Sequence, residues 1–327
     1  MPLLPEGLLI ELVTPLTPTG SLDHLSLERL VARVRSAGGG LIAGSPGIGE
    51  ALELPPALRL ELFAHLLTLV PPEVPLFFGL TGATQEDTRS LALHLEQKAQ
   101  QQPGGRRLFW LDLPLWWHSN RGLPQALENL CRGLSYPLVL MNHPHVMRGK
   151  AKPLKHVNIR TAVLKKLTGV PGLAALIYQG EMRRFLHYYS AVAMRPEFVL
   201  YEADERRFLI RPGARGLVSA GAQLFPLAWR EVAQACLYPG ETPGQAQNRR
   251  LVLEWSQYLL DLQELYQLHP AGLIKLGLQH LGIIEFSVSW PTTPSYPAHL
   301  GEQFLTFLDT LHDTGMNSGP GKGEFQA

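Results

Sequence analysis

Three histidines and one basic loop carry the side chains best suited to chemistry. His143 and His145 stand two residues apart, and His118 precedes them on a neighbouring loop. Imidazoles on adjacent loops could hold a divalent ion, which would polarise a bound carbonyl. An H-x-H pair also recurs by chance, and solvated or hydrogen-bonded histidines are the commoner outcome. No metal and no cofactor is therefore assigned. Arg148, Lys150 and Lys152 follow on the same segment and could attract a carboxylate or phosphate, although such basic loops are more often simply solvated. Trp116-Trp117 could stack on a ligand or pack on a helix. The loop Gly44-Ser45-Pro46-Gly47 could present N–H groups to an anion, less well because Pro46 lacks one. Glu11 lies in an apolar run, and the sequence does not decide which way it faces.

The elements that position these residues alternate strictly. Apolar runs read as strands at Leu8 to Leu16, Leu41 to Ala43, Pro75 to Leu80, Arg107 to Leu113, Pro137 to Met141, Gly172 to Gly180, Phe198 to Tyr201 and Gly216 to Ala220. Between them the period lengthens to that of helices. Ser26 is the expected N-cap of a first helix running to Ala37, and Thr84 caps the third, which runs to Gln100. Asn142 to Asn158 reads as a long loop. Eight strand–helix units close naturally into a barrel whose working face lies at the C-terminal ends of the strands. That face should gather Ser45, Trp116, Trp117, His118, Asn142, His143, His145, Tyr178, Gln179, Glu202, Asp204 and Gln223.

The expected fold class is α/β: a (β/α)8 TIM barrel over residues 1–240 with a C-terminal three-helix appendage over 241–315. A disordered tail is expected over 316–327. Charged residues are 17% of the chain, hydrophobic residues are 45%, and the net charge is +1. That balance suggests neither nucleic acid nor an anionic membrane as partner. No apolar run reaches the ~18 residues of a membrane span. No signal peptide is evident, and Cys131 and Cys236 read as reduced thiols, so a cytoplasmic protein is expected.

Four motifs, in order, resemble the dihydrodipicolinate synthase/N-acetylneuraminate lyase family of pyruvate-dependent aldolases. They are Thr14-Pro15-Leu16 with Gly20 and Asp23, Gly44-Ser45-Pro46-Gly47, Leu140-Met141-Asn142-His143-Pro144, and Gly213-Ala214-Arg215-Gly216-Leu217-Val218-Ser219. The continuation Ile48-Gly49-Glu50-Ala51-Leu52 is most similar to the sugar-acid aldolase branch. The resemblance implies a lysine on strand 6 that forms a Schiff base with a 2-keto acid, a proton-shuttling tyrosine on strand 5, and a Thr–Thr pair with a second tyrosine.

Those residues are replaced here. Matching Gly180-Glu181 to the family's Gly-Asp puts Leu176 at the lysine position. Met141 stands for the strand-5 tyrosine, Ser45-Pro46 for the Thr–Thr pair, and Trp117 for the second tyrosine. Leucine and methionine neither form an imine nor move a proton. No lysine falls on an expected strand, and a solvated loop lysine stays protonated and makes a poor nucleophile. The expectation is a family member without the Schiff-base reaction, acting as a ligand-binding, scaffold or silent-subunit protein. The alternative is an enzyme on 2-keto or sugar acids using the histidines, a metal or a displaced lysine. Ser45, Arg148, Trp117, Tyr178 and Asn142 are the candidate ligand-binding residues. The expected partners are a small 2-keto acid or sugar acid and either further copies of the chain or an active relative, in a dimer or tetramer.

Overall fold

The computed structural model describes residues 4–102, 105–150, 156–238, 245–290, 296–312 and 316. Eight parallel strands follow one another round a closed barrel: β1 (Gly7–Glu11), β2 (Gly40–Ala43), β3 (Leu76–Gly79), β4 (Leu108–Asp112), β5 (Leu138–Asn142), β6 (Leu173–Tyr178), β7 (Val199–Glu202) and β8 (Gly216–Ser219), which pairs back onto β1. Every strand residue except Gly7 is buried. This is why the strands read as unbroken apolar runs: helices cover one face and the barrel interior the other.

The outer ring comprises α1 (His24–Val34), α2 (Pro56–Leu69), α3 (Gln85–Gln100), α4 (Leu123–Cys131), α5 (Pro144–Lys150), α6 (Thr161–Leu167), α7 (Met182–Val192), α8 (Glu205–Ile210) and α9 (Pro226–Leu237). The cap of α1 differs from expectation. Asp23 is the N-cap, its carboxylate accepting the Ser26 N–H at 3.0 Å and the Ser26 hydroxyl at 2.6 Å. The carboxylate starts the helix one turn early, and Ser26 is drawn inside. Thr84 and Asp87 form a capping box at α3. The expected loop after β5 is partly helical, because Pro144 pre-sets the first turn of α5.

Aromatic packing shows which strand face is which. Phe63 of α2 packs on Phe78 and Trp110, with ring centroids 4.8 and 5.5 Å away, so these two face the helices. Phe77 and Phe109 stack on each other inside, 4.7 Å apart, and Tyr201 reaches Phe77 at 6.5 Å. Alternation along each strand then carries the inward face round the ring through the pairing register. Glu11 pairs with Ile42 and Ile42 with Phe77; Leu111 pairs with Val139; Met141 pairs with Ile177 and Ile177 with Tyr201.

Three further helices, α10 (Gln245–Tyr266), α11 (Pro270–His280) and α12 (Ala298–His312), follow the barrel. α10 packs on α8 and α9, and α11 on α12. A buried ion pair ties this appendage to the loop after β2: the Lys275 ammonium meets the Glu50 carboxylate and also donates to the Val288 carbonyl at 2.7 Å. Glu50 has a positive φ of 55°, unusual for a side chain with a Cβ. The ion pair and the Trp290 N–H, which donates to the same carboxylate at 3.3 Å, hold it there. The expected tail falls, beyond Met316, outside the described residues. Among the described residues no helix is long and apolar enough to cross a membrane.

Candidate functional site

A cavity of about 870 Å3 opens at the C-terminal mouth of the barrel, roofed by the end of α10 and the start of α11. Glu11, Val218 and Ala220 line its floor, with His143 and Gln179 on the β5–β6 side and Asp204, Arg207 and Arg211 on the β7 side.

Glu11 projects inward from β1 and is 6% exposed. Its carboxyl accepts the Ser45 hydroxyl, while Ser45 Oγ in turn accepts the Gly49 N–H at 2.9 Å. Burial lifts the Glu11 carboxyl from 4.5 to about 7. The Ser45 bond opposes that rise, and the Glu205 carboxylate adds to it. The β2 loop reaches Ser45 only because glycines frame it. Gly44 has φ 56°, and a Cβ on Gly49 would stand 2.4 Å from the Ser45 nitrogen.

His143 lies across the mouth. Val146 N–H donates to its Nδ1 at 3.4 Å, which leaves Nε2 to carry the ring proton. Burial, helped by the adjacent His145, lowers its pKa from 6.5 to about 4, so the ring is neutral. A Cβ on Gly47 would stand 3.7 Å from His143 Nε2, so the loop that touches Glu11 through Ser45 also touches His143 through Gly47.

The β7–α8 wall is a closed polar network. Arg207 is paired with Glu202, which also accepts the Asp204 N–H at 3.0 Å. Glu205 accepts the Ser219 hydroxyl at 2.5 Å, the Gly221 N–H at 2.9 Å and the Tyr266 hydroxyl at 2.5 Å. Neither Arg207, Glu205 nor Tyr266 was singled out from sequence. A lone Glu-Arg-Arg run carries no mark of burial, and Tyr266 belongs to a helix beyond the barrel.

The expected site residues separate into two groups. Ser45, His143, His145, Arg148, Gln179 and Asp204 meet at or beside the cavity. Tyr178 touches its edge, but its ring faces α7, edge-on to Tyr188 at 5.0 Å. Four expectations are corrected. Asn142 points out of the barrel and is consumed by Asn158 at 3.0 Å, the Tyr188 hydroxyl at 3.0 Å and the Ile159 N–H at 3.3 Å. Trp117 stands off the cavity, its indole N–H turned to the Asp112 carboxylate at 3.2 Å. Gln223 is buried beneath the mouth, bonded to the Val13 N–H and the Glu11 carbonyl. His118 turns to the Ser119 carbonyl at 2.7 Å and does not join His143 and His145. Among the described residues no group of three or more His, Cys, Asp or Glu is placed to hold a metal.

The wall between β5 and β6 is apolar. Met141 is 3% exposed, and Leu176 and Ile177 are fully buried. Leu176 pairs with Leu140 and Tyr178 with Asn142, on the helix-facing side, so the inward neighbour of Met141 is Ile177. None of the eight strands contains lysine. Lys98, Lys165 and Lys166 lie on outer helices and Lys150 ends α5. Lys275 is the buried partner of Glu50, and Lys152, Lys155 and Lys322 lie outside the described residues.

Sequence comparison places this barrel among known proteins. The chain is similar to the 4-hydroxy-tetrahydrodipicolinate synthases of Stutzerimonas stutzeri (24% identical over 280 residues, 84% of this chain and 90% of the relative) and Methylococcus capsulatus (25% over 283 residues, 84% and 91%). The likeness to these synthases thus runs over most of the chain and most of each relative. No protein-family model matches the chain. The same fold is seen in the chloride-inhibited dihydrodipicolinate synthase of Acinetobacter baumannii, solved with pyruvate, which is 17% identical with a TM-score of 0.75 over 94% of this chain and 98% of that one. Nearly the whole fold of that chain is thus present here.

Proposed function

We propose that the chain is a member of the dihydrodipicolinate synthase/N-acetylneuraminate lyase family that lacks the Schiff-base lyase reaction and uses its mouth to bind a small organic acid. One observation carries the reading: the β5–β6 wall presents Met141 and Ile177, with Leu176 turned to the helices, where an imine-forming lysine and its proton-transferring tyrosine would be needed. A Schiff-base lysine must be desolvated to be nucleophilic near neutral pH and rigidly aimed to attack. Lys275 is desolvated, and burial lowers its pKa, but the Glu50 carboxylate raises it again and the ammonium is spent on that pair.

The ligand class is a 2-keto acid or sugar acid. The cavity is of metabolite size, Arg148 and Arg211 stand at its rim, and a solved neighbour holds pyruvate. The role that fits is a cytoplasmic binding or scaffold protein, assembled with its own copies or with an active relative as a silent subunit.

Borohydride reduction in the presence of pyruvate and other 2-keto acids, read by intact mass, tests this. The expected result is no covalent adduct under conditions that trap an active family member. An adduct mapped to any lysine overturns the reading.

A further inference from the structure

We propose that Glu11 and His143 form a lysine-independent enolising pair: the Glu11 carboxylate exchanges a proton on the carbon next to a bound carbonyl, and the His143 Nε2–H holds the carbonyl oxygen. The inference rests on the reading above, that no imine forms at this mouth, and adds a chemistry to the acid bound there.

Both groups reach the cavity from opposite sides, Glu11 from the end of β1 and His143 from the residue after β5. They flank one loop. Ser45 donates to Glu11, and Gly47 packs on the His143 ring. Both groups also line the same cavity of about 870 Å3, so one bound acid can face both. The groups that face Glu11 are the Ser45 hydroxyl from the β2 loop and the Glu205 carboxylate of α8, and Glu205 is already held by three donors. A buried carboxylate beside a hydroxyl and a second carboxylate is more basic than one in an ion pair. The raised pKa places Glu11 where a general base works best near neutrality. His143 supplies the complementary half, since a neutral imidazole with Nδ1 occupied can donate from Nε2 without bringing a charge.

The step balances without a further reagent. The Glu11 carboxylate takes the α-proton and that C–H bond breaks. Its electron pair becomes the C=C bond, and the carbonyl π pair moves to the oxygen that accepts from His143. Glu11 exchanges its proton with solvent water and returns one to the same carbon, restoring the keto acid. Apolar Val218 and Ala220 beside Glu11 limit competing water.

Proton NMR of pyruvate and of 2-oxobutyrate in D2O with the full-length protein tests the proposal. The expected result is loss of the signal next to the carbonyl, faster than in buffer, at a rate that rises with pH through about 7 and then levels. Glu11→Gln should slow exchange by at least about 100-fold with an unchanged circular dichroism spectrum, and Glu11→Asp, which keeps the base one methylene back, should retain part of it. No exchange above buffer with either acid, or an equal rate in Glu11→Gln, overturns the proposal. Exchange accompanied by a borohydride adduct would instead overturn the imine-free reading on which it stands.

Discussion

The two sides of the barrel mouth bury carboxylates to opposite ends. On the β7–β8 side, Glu202 is bound to Arg207, and Glu205 accepts from Ser219, Gly221 and Tyr266, so charge is spent on joining β7, α8, β8 and α10. On the β1 side, Glu11 has the Ser45 hydroxyl, and its carboxyl borders open cavity. A buried charge with every lone pair engaged is architecture; one with a partner to spare is available to a ligand. Between them, the β5–β6 wall has no ionisable side chain pointing inward.

The sharpest way to probe this division is to put a nucleophile back on the apolar wall. Ile177→Lys with Met141→Tyr is expected to trap pyruvate on borohydride reduction, whereas Leu176→Lys, facing the helices, is not. Equal trapping by both would show the inward register to be misassigned. The next largest effect concerns stability. Lys275→Met leaves Glu50 buried without its cation and should cost about 3–5 kcal/mol, read as a drop in the urea midpoint.

Glu11→Gln should act in the other direction, and only at higher pH. The folded-state pKa is raised, so the folded protein holds that proton more tightly than the unfolded chain. The resulting stability is complete below about 4.5 and is lost as pH rises to about 7. The rise from 4.5 to about 7 corresponds to about 3 kcal/mol. The glutamine variant should therefore exceed the parent by that order at pH 8 and match it near pH 4, and an equal gain at both values would remove the charge from the explanation. The smallest effect is expected for Tyr266→Phe, which deprives Glu205 of one of three donors and should cost about 1–3 kcal/mol in the same measurement.

The sequence disclosed the barrel because helix and strand periods alternate eight times and the strands are buried on both faces. That same double burial hid the direction of Glu11: with no polar face to mark alternation, only the Glu11–Ile42–Phe77 register sets it. Motif spacing counted back from Gly180 reached Leu176, whereas the pairing of β5 with β6 sets Ile177 beside Met141. Asn142 looked available because its partner Tyr188 comes from α7, and Trp117 because nothing in the sequence marks Asp112, five residues before it at the end of β4, as its acceptor. His143, Arg148 and Ser45 stand at or beside the cavity, where their position after β5 and β2 led one to expect them. The Lys275–Glu50 pair spans a sequence separation of 225 residues and left no local trace.

That pair also dates the completion of the mouth. During synthesis the β2 loop emerges early, carrying Ser45 and Glu50, and its brace on α11 is translated 225 residues later. Until then a buried carboxylate lacks its counter-ion, and the roof formed by α10 and α11 is absent. A nascent barrel that has already closed its strands is still an unfinished receptacle, so ribosome-bound chains ending before α11 should hold no ligand.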